Sequence, residues 1–312
     1  MNKKLKVLIP IDGSDQALQA AVYAACMFSP ERTEFVLFHI DTQSTDLGRS
    51  LPANPLYHEK VKTIDKWVAG QQHGIRQFME QAVAQMAAAG FPASSVQVKI
   101  KKKQERLLDE IINESRDEYD AVVVGKTGKS RLKDRVIGSV AIKLAGKMNL
   151  VPLIIVDGSP RTDKLLLSID QPEEAFKCVE CIASLLDIRK FKIAISHIAR
   201  CALAPTDTPK EQTATDEKRM CVLRDVECIC PSIDSMKKCF EEEGILAEQL
   251  SDMVVNSDNP VAASLELMQS HQFGSIVVGR RAIVPFVEEL VSGRYSQKIL
   301  RKMEDMALWV VN

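Results

Sequence analysis

Gly125, Gly128, Gly138 and Ser139 follow one another at the spacing G-x2-G-x9-G-S, directly after the apolar run Ala121 to Val124 and directly before a helix-like stretch from Val140 to Met148. Glycines let a loop turn backbone N–H groups toward an anion without side-chain obstruction. A helix that opens where the loop ends adds unpaired N–H groups and the positive end of its dipole, and Ser139 adds a hydroxyl. That is the chemistry of a phosphate cradle, and the implied ligand is a nucleotide. Lys126, Lys129, Arg131, Lys133 and Arg135 lie on the same loop. They either screen phosphate charge or form an ordinary solvated run.

A cradle of this kind needs a strand before it and a helix after it, and the chain supplies such units twice. Lys6-Val-Leu-Ile-Pro-Ile-Asp12 is echoed 158 residues later by Lys164-Leu-Leu-Leu-Ser-Ile-Asp170, each followed by an amphipathic helix pattern beginning near Ala17 and Ala175. The same offset pairs Phe35 to Ile40 with Ile193 to Ile198. At slightly shorter offsets Val122 to Gly125 answers Ile276 to Gly279, and Leu153 to Val156 answers Leu308 to Val311. Two copies of one unit therefore fill the chain, residues 1–158 and 159–312, joined by the short run Asp157 to Asp163.

Each copy reads strand, helix, strand, long variable segment, strand, helix, strand, glycine loop, helix, strand. Near-continuous apolar strands separated by helix-length segments predict an α/β fold, with a parallel sheet in each copy and helices on both faces. Ligands of such sheets sit beyond the carboxyl ends of the strands. Asp12, Ile40 and Gly125 all stand at predicted strand ends, so separate parts of the sequence converge on one crevice. Residues Lys60 to Ala89 read as a helix stopped by Gly90 and Pro92. Thr42 to Pro55 and the Pro- and Thr-rich Arg200 to Lys218 read as loops.

The 312 residues are 46% hydrophobic and 27% charged, with a formal net charge of -1, which describes a soluble two-domain globular protein. No broad basic field is present, which argues against a nucleic-acid or anionic-membrane footprint. The amino terminus has no signal-peptide core or membrane span, which makes the cytoplasm the expected compartment. The eight cysteines, seven of them between Cys178 and Cys239, then read as thiols rather than disulfides. Cys178-x-x-Cys181 and Cys228-x-Cys230 match no familiar zinc ribbon or finger. His39 and His197 recur at equivalent strand ends, which favours a structural role over catalysis, and no spacing suggests a Ser-His-Asp system.

The set Pro10-x-Asp12-Gly13-Ser14, a strand ending His39-Ile40-Asp41, and G-x2-G-x9-G-S resembles the universal stress protein family, over nearly the whole chain as a tandem pair. The resemblance implies two Rossmann-like domains of the adenine nucleotide α-hydrolase-like type, with ATP, or ADP or AMP, in the crevice of the first, with or without magnesium. It implies that Asp12 meets the ribose, that the Ile40 backbone meets adenine, and that Gly125, Gly128, Gly138 and Ser139 hold the phosphates. Pro10, Ser14, Lys129 and Val140 complete the implied cofactor site. Asp12 is equally suited to capping the helix that starts near Ser14, and Ile40 to plain core packing.

The second copy keeps Asp170 and Gly279 but departs elsewhere. Ser168 replaces the proline, Gln171-Pro172 replaces Gly-Ser, Ala282 stands at the second glycine, ten residues precede Gly293, and Arg294 takes the serine place. A methyl at Ala282 and a shifted loop perturb the N–H array, so this copy is expected to be a structural partner, or to hold another anion through Arg280, Arg281 and Arg294. The apolar end strands Leu153 to Val156 and Leu308 to Val311 are expected to pair within the chain as a pseudo-dimer. Association into a homodimer, or with an unidentified protein, is the further expectation. The functional expectation is a regulatory, non-catalytic stress-response module that binds ATP, since neither a P-loop lysine motif nor the loop of ATP pyrophosphatases is present. The competing expectations are a slow ATP-hydrolysing enzyme and an apo scaffold whose second domain senses thiols or metals.

Overall fold

The computed structural model describes residues 4–42, 73–127, 139–170, 172–199, 230–280 and 295–312. The chain divides into two compact units, Met1–Met148 and Asn149–Asn312. The first contains β1 (Leu5–Pro10), α1 (Asp15–Met27), β2 (Thr33–Asp41), α2 (73–88), β3 (Val96–Lys102), α3 (Leu107–Glu114), β4 (Ala121–Gly125) and α4 (Ser139–Lys147). The second contains β5 (Leu153–Val156), β6 (Lys164–Ile169), α5 (Pro172–Leu185), β7 (Lys192–Ala199), α6 (230–242), β8 (Leu250–Asn256), α7 (Pro260–Ser270), β9 (Ser275–Gly279), α8 (Tyr295–Lys302) and β10 (Ala307–Val311).

In the first unit the strands lie in the order β3-β2-β1-β4, all parallel. In the second the order is β5-β10-β9-β6-β7-β8, parallel throughout except that β5 runs antiparallel to β10. The four segment pairs of the sequence repeat are thus the strand pairs β1/β6, β2/β7, β4/β9 and β5/β10. The apolar end strands do pair, Leu153 opposite Val310 and Val156 opposite Ala307, which carries β5 into the second compact unit.

The central strands are apolar at successive positions because both of their faces are covered. Val7, Leu8 and Ile9 of β1, Val122 and Val123 of β4, and Leu165, Leu166 and Leu167 of β6 are all 0% exposed. Helix α1 is rich in alanine on its buried side, with Ala17, Ala20, Ala21, Ala24 and Ala25 all buried. Small side chains there let the helix axis approach the sheet closely. The edge strand β3 differs: Lys99 and Lys101 reach the buried carboxylates of Glu114 (2.5 Å) and Glu110 (3.1 Å) on α3, as suits an edge that must not pair further. The helix expected between Lys60 and Ala89 is present as α2 over 73–88. Its earlier part, most of the Thr42 to Pro55 loop and the Arg200 to Lys218 loop lie outside the described residues.

Candidate functional site

The strand register decides what meets at the carboxyl end of the first sheet. Pro10 of β1 lies opposite Phe38 of β2, and Leu8 lies opposite Val122 of β4. The Ile11 amide donates to the Phe38 carbonyl at 2.7 Å. Continued by two to four residues, that register brings Asp12, Ile40 and the Gly125-Lys126 dipeptide to one level on three adjacent strands. Ile40 still belongs to β2 and is 5% exposed.

The turn after β1 is held by local hydrogen bonds. Asp12 Oδ1 accepts from the Ser14 amide at 3.0 Å, and Ser14 Oγ caps α1 by accepting from the Ala17 amide at 3.2 Å. Gly13 between them has φ +80, a backbone region open to glycine at little cost. Of the two roles weighed for Asp12, the bracing of the helix start is seen, by way of Ser14, and the residue also stands at the strand end. Pro10 closes β1 and is partly exposed. The Nδ1–H of His39 donates to the Ile11 carbonyl at 2.7 Å, tying the end of β2 to the end of β1. His197 repeats the contact to the Ile169 carbonyl at 3.3 Å, so the recurring histidines hold strand ends together.

Gly125 ends β4 against α1. A Cβ added there would lie 2.8 Å from both the carbonyl carbon and the oxygen of Gln16 and 3.1 Å from the Ala17 nitrogen. The next residue, Lys126, is only 8% exposed. It is the loop cation that falls within the described residues, it is buried at the strand end, and the sequence did not single it out. A run of lysines and arginines gives no local signal of which member turns inward. Gly128, Lys129 and Gly138 lie outside the described residues. Ser139 opens α4, and Val140 in its first turn is partly exposed. Gln16 carries a buried Oε1 that has no hydrogen-bond partner among the described residues.

In the second unit Asp170 follows β6 and Gly279 ends β9, where a Cβ would lie 2.6 Å from Glu174 Cβ on α5. The glycine that both copies keep is thus the one that lets the first helix of each unit pack on its sheet. Ser168 on β6, the counterpart of Pro10, sits 3.2 Å from the Tyr295 hydroxyl, which in turn lies 2.5 Å from Ser264 Oγ on α7. Ala282, Gly293 and Arg294 fall outside the described residues.

Two thiols of the second unit, Cys178 and Cys181, are poorly placed for chemistry. Cys178 and Cys181 are buried one turn apart on α5. Burial pushes the Cys181 thiol up to about 12 and the Cys178 thiol higher still, the latter also repelled by Cys181 and Glu174. Among the described residues no cluster of His, Cys, Asp and Glu could hold a metal ion, and no helix is long and apolar enough to cross a membrane.

Known proteins place this architecture. No curated protein sequence matches the chain. A universal stress protein from Archaeoglobus fulgidus DSM 4304 aligns with 99% of this chain and 97% of its own at 16% identity, with a TM-score of 0.61. A protein assigned as a universal stress protein in Pseudomonas aeruginosa UCBPP-PA14 aligns with 98% of this chain and 92% of its own at 13% identity, with a TM-score of 0.53. At such identities the likeness establishes the fold, and it does so across both halves. The family model described as the universal stress protein family matches residues 5–157. Through that first half, the chain belongs to the universal stress protein family.

Proposed function

We propose that residues 1–158 form a domain that binds an adenine nucleotide, ATP or its ADP or AMP relative, in the crevice at the carboxyl ends of β1, β2 and β4. Residues 159–312 form its sibling, in which the phosphate motif has degenerated. The observation that carries this reading is the meeting of Asp12, Ile40 and Gly125-Lys126 at one end of one parallel sheet. The donor set suits the ligand. A carboxylate accepts from ribose hydroxyls, a strand end offers backbone groups to an adenine edge, a buried ammonium favours phosphate, and the start of α4 offers unpaired amides. Pro10 and Val140 flank the space, and Ser14, Gly128, Lys129, Gly138 and Ser139 complete it. A polyphosphate held there could carry its magnesium on phosphate oxygens.

The module is regulatory rather than catalytic, acting in the cytoplasm as part of a stress response. The nucleotide biases its association with a second copy of the chain or with a protein partner, to the extent that it binds the two conformations unequally. Mass spectrometry of the small molecules released when the purified protein is denatured, with calorimetry against ATP, ADP and AMP, tests the binding. An adenine nucleotide at about one per chain is expected, and the absence of both co-purified ligand and measurable binding overturns the proposal. Release of phosphate at ordinary enzyme rates, about 1 per second or faster, would transfer the chain to the enzymes.

A further inference from the structure

We propose that Tyr295 latches the second crevice shut, bridging Ser168 at the carboxyl end of β6 to Ser264 on α7, so that nucleotide binding is confined to the first half. The inference rests on the reading of the first crevice as the nucleotide site. Tyr295 holds the position of Val140 in the repeat and Ser168 that of Pro10, the two residues that flank the proposed ligand from the helix side and the strand side. In the second unit these two edges are joined directly by a hydrogen bond of 3.2 Å.

The bridge continues inward. Ser264 is 0% exposed, so its hydroxyl needs a partner inside the protein, and the Tyr295 hydroxyl supplies one at 2.5 Å. A phenol both donates and accepts, so one oxygen can serve both serines at once. The first unit has no means of building the same bridge. Pro10 has no polar side chain, Val140 has no hydroxyl, and the position of Ser264 is taken by Glu110. Its Oε1 accepts from the Gln104 and Glu105 amides at 2.6 and 2.9 Å. Three positions have therefore changed together, one on each of three elements. Together they turn a gap between strand end and helix into a closed contact. Loss of the glycines alone would leave a weakened site; the latch adds a direct side-chain bridge between its two edges.

Nitration of the full-length protein by tetranitromethane, located by peptide mass spectrometry, reads the latch without reference to any nucleotide. Tyr295 is expected to react slowly in the native chain. Ser264→Ala and Ser168→Ala are each expected to speed the reaction about fivefold, the factor equivalent to one hydrogen bond. Native-state nitration as fast as in urea overturns the proposal. Hydrogen exchange around residues 165–170 supplies the second readout, expected to rise in Tyr295→Phe, which keeps the ring and loses both bonds. Unchanged exchange there counts against the latch. Calorimetry with ATP is expected to give one site, which Gly125→Ala abolishes; a site that survives Gly125→Ala and protects residues 165–170 from exchange also overturns it. If the wild type binds no nucleotide at all, the functional reading fails while Tyr295 nitration still decides the latch.

Discussion

Gly125 lies so close to Gln16 that a methyl group on it would sit 2.8 Å from the Gln16 carbonyl carbon and oxygen. The contact joins β4, which leads into the loop proposed to hold phosphate, to the helix that Asp12 and Ser14 start. One glycine thus sets the packing of α1 and the position from which the loop departs.

Gly125→Ala is expected to destabilise the first unit by about 1–3 kcal/mol, the usual cost of forcing a methyl into a packed contact, and to abolish nucleotide binding. Gly279→Ala should cost a similar amount against Glu174 and leave nucleotide affinity unchanged. Urea unfolding and calorimetry on both variants check the pair. Equal loss of nucleotide binding in the two would show that the glycines act on a shared property and not on their own crevices.

A second expectation concerns acid. Hydrogen bonds from the Gln104 amide, together with that from Glu105 and the Lys101 ammonium, hold the Glu110 carboxyl below its ordinary value against the opposing pull of burial. Its folded-state pKa lies below its unfolded one, so the ionised form stabilises the fold above the ordinary carboxylate pKa. That contribution fades as pH falls through the lowered folded value. Glu110→Gln should therefore lose about 1–3 kcal/mol at pH 7. It should also show a shallower decline in stability below about pH 4, measured by urea midpoints across that range. A parallel shift of the two pH curves would mean that the carboxylate contributes nothing pH-dependent.

Cys178 and Cys181 should resist alkylation by iodoacetamide at pH 8 in the native state and react on unfolding, because burial disfavours both thiolates. Mass spectrometry of the trypsin-digested protein reads each site. Rapid native labelling at either would make it a candidate for the thiol-sensing reading of the second half.

Much of this architecture was legible because its central strands are apolar at successive positions: Val7 to Ile9 and Leu165 to Leu167 could hardly be anything but buried parallel strands, and their repetition gave the two copies. The glycine spacing suggested the crevice proposed above, though Gly128 and Gly138 lie outside the described residues. What escaped was what depends on distant partners. Gly125 read as a phosphate residue, while its contact with Gln16 needed the helix to be in place. Lys126 looked like its basic neighbours until the fold buried it. Ser168 read as an isolated change, and Ser264 and Tyr295 drew no reading at all, because the bonds that unite the three span 127 and 31 residues. Sequence patterns report local periodicity, and side-chain closure across three elements leaves no trace in it.

His39 and His197 offer the sharpest comparison between the halves, since each donates from Nδ1 to a carbonyl on the neighbouring strand, Ile11 at 2.7 Å and Ile169 at 3.3 Å. Either histidine replaced by alanine should lose stability by about 1 kcal/mol, the net contribution of one hydrogen bond. The effects on binding should differ. Ile11 adjoins Asp12 and His39 adjoins Ile40, so His39→Ala loosens two strand ends that the nucleotide is proposed to touch, and a loss of affinity of about fivefold or more is expected. His197→Ala loosens the corresponding ends in a crevice closed by Tyr295, and affinity for ATP should stay within error of the wild type. Calorimetry at matched temperature, well below both unfolding midpoints, separates the two; a weakened His197→Ala would place a working nucleotide site in the second half.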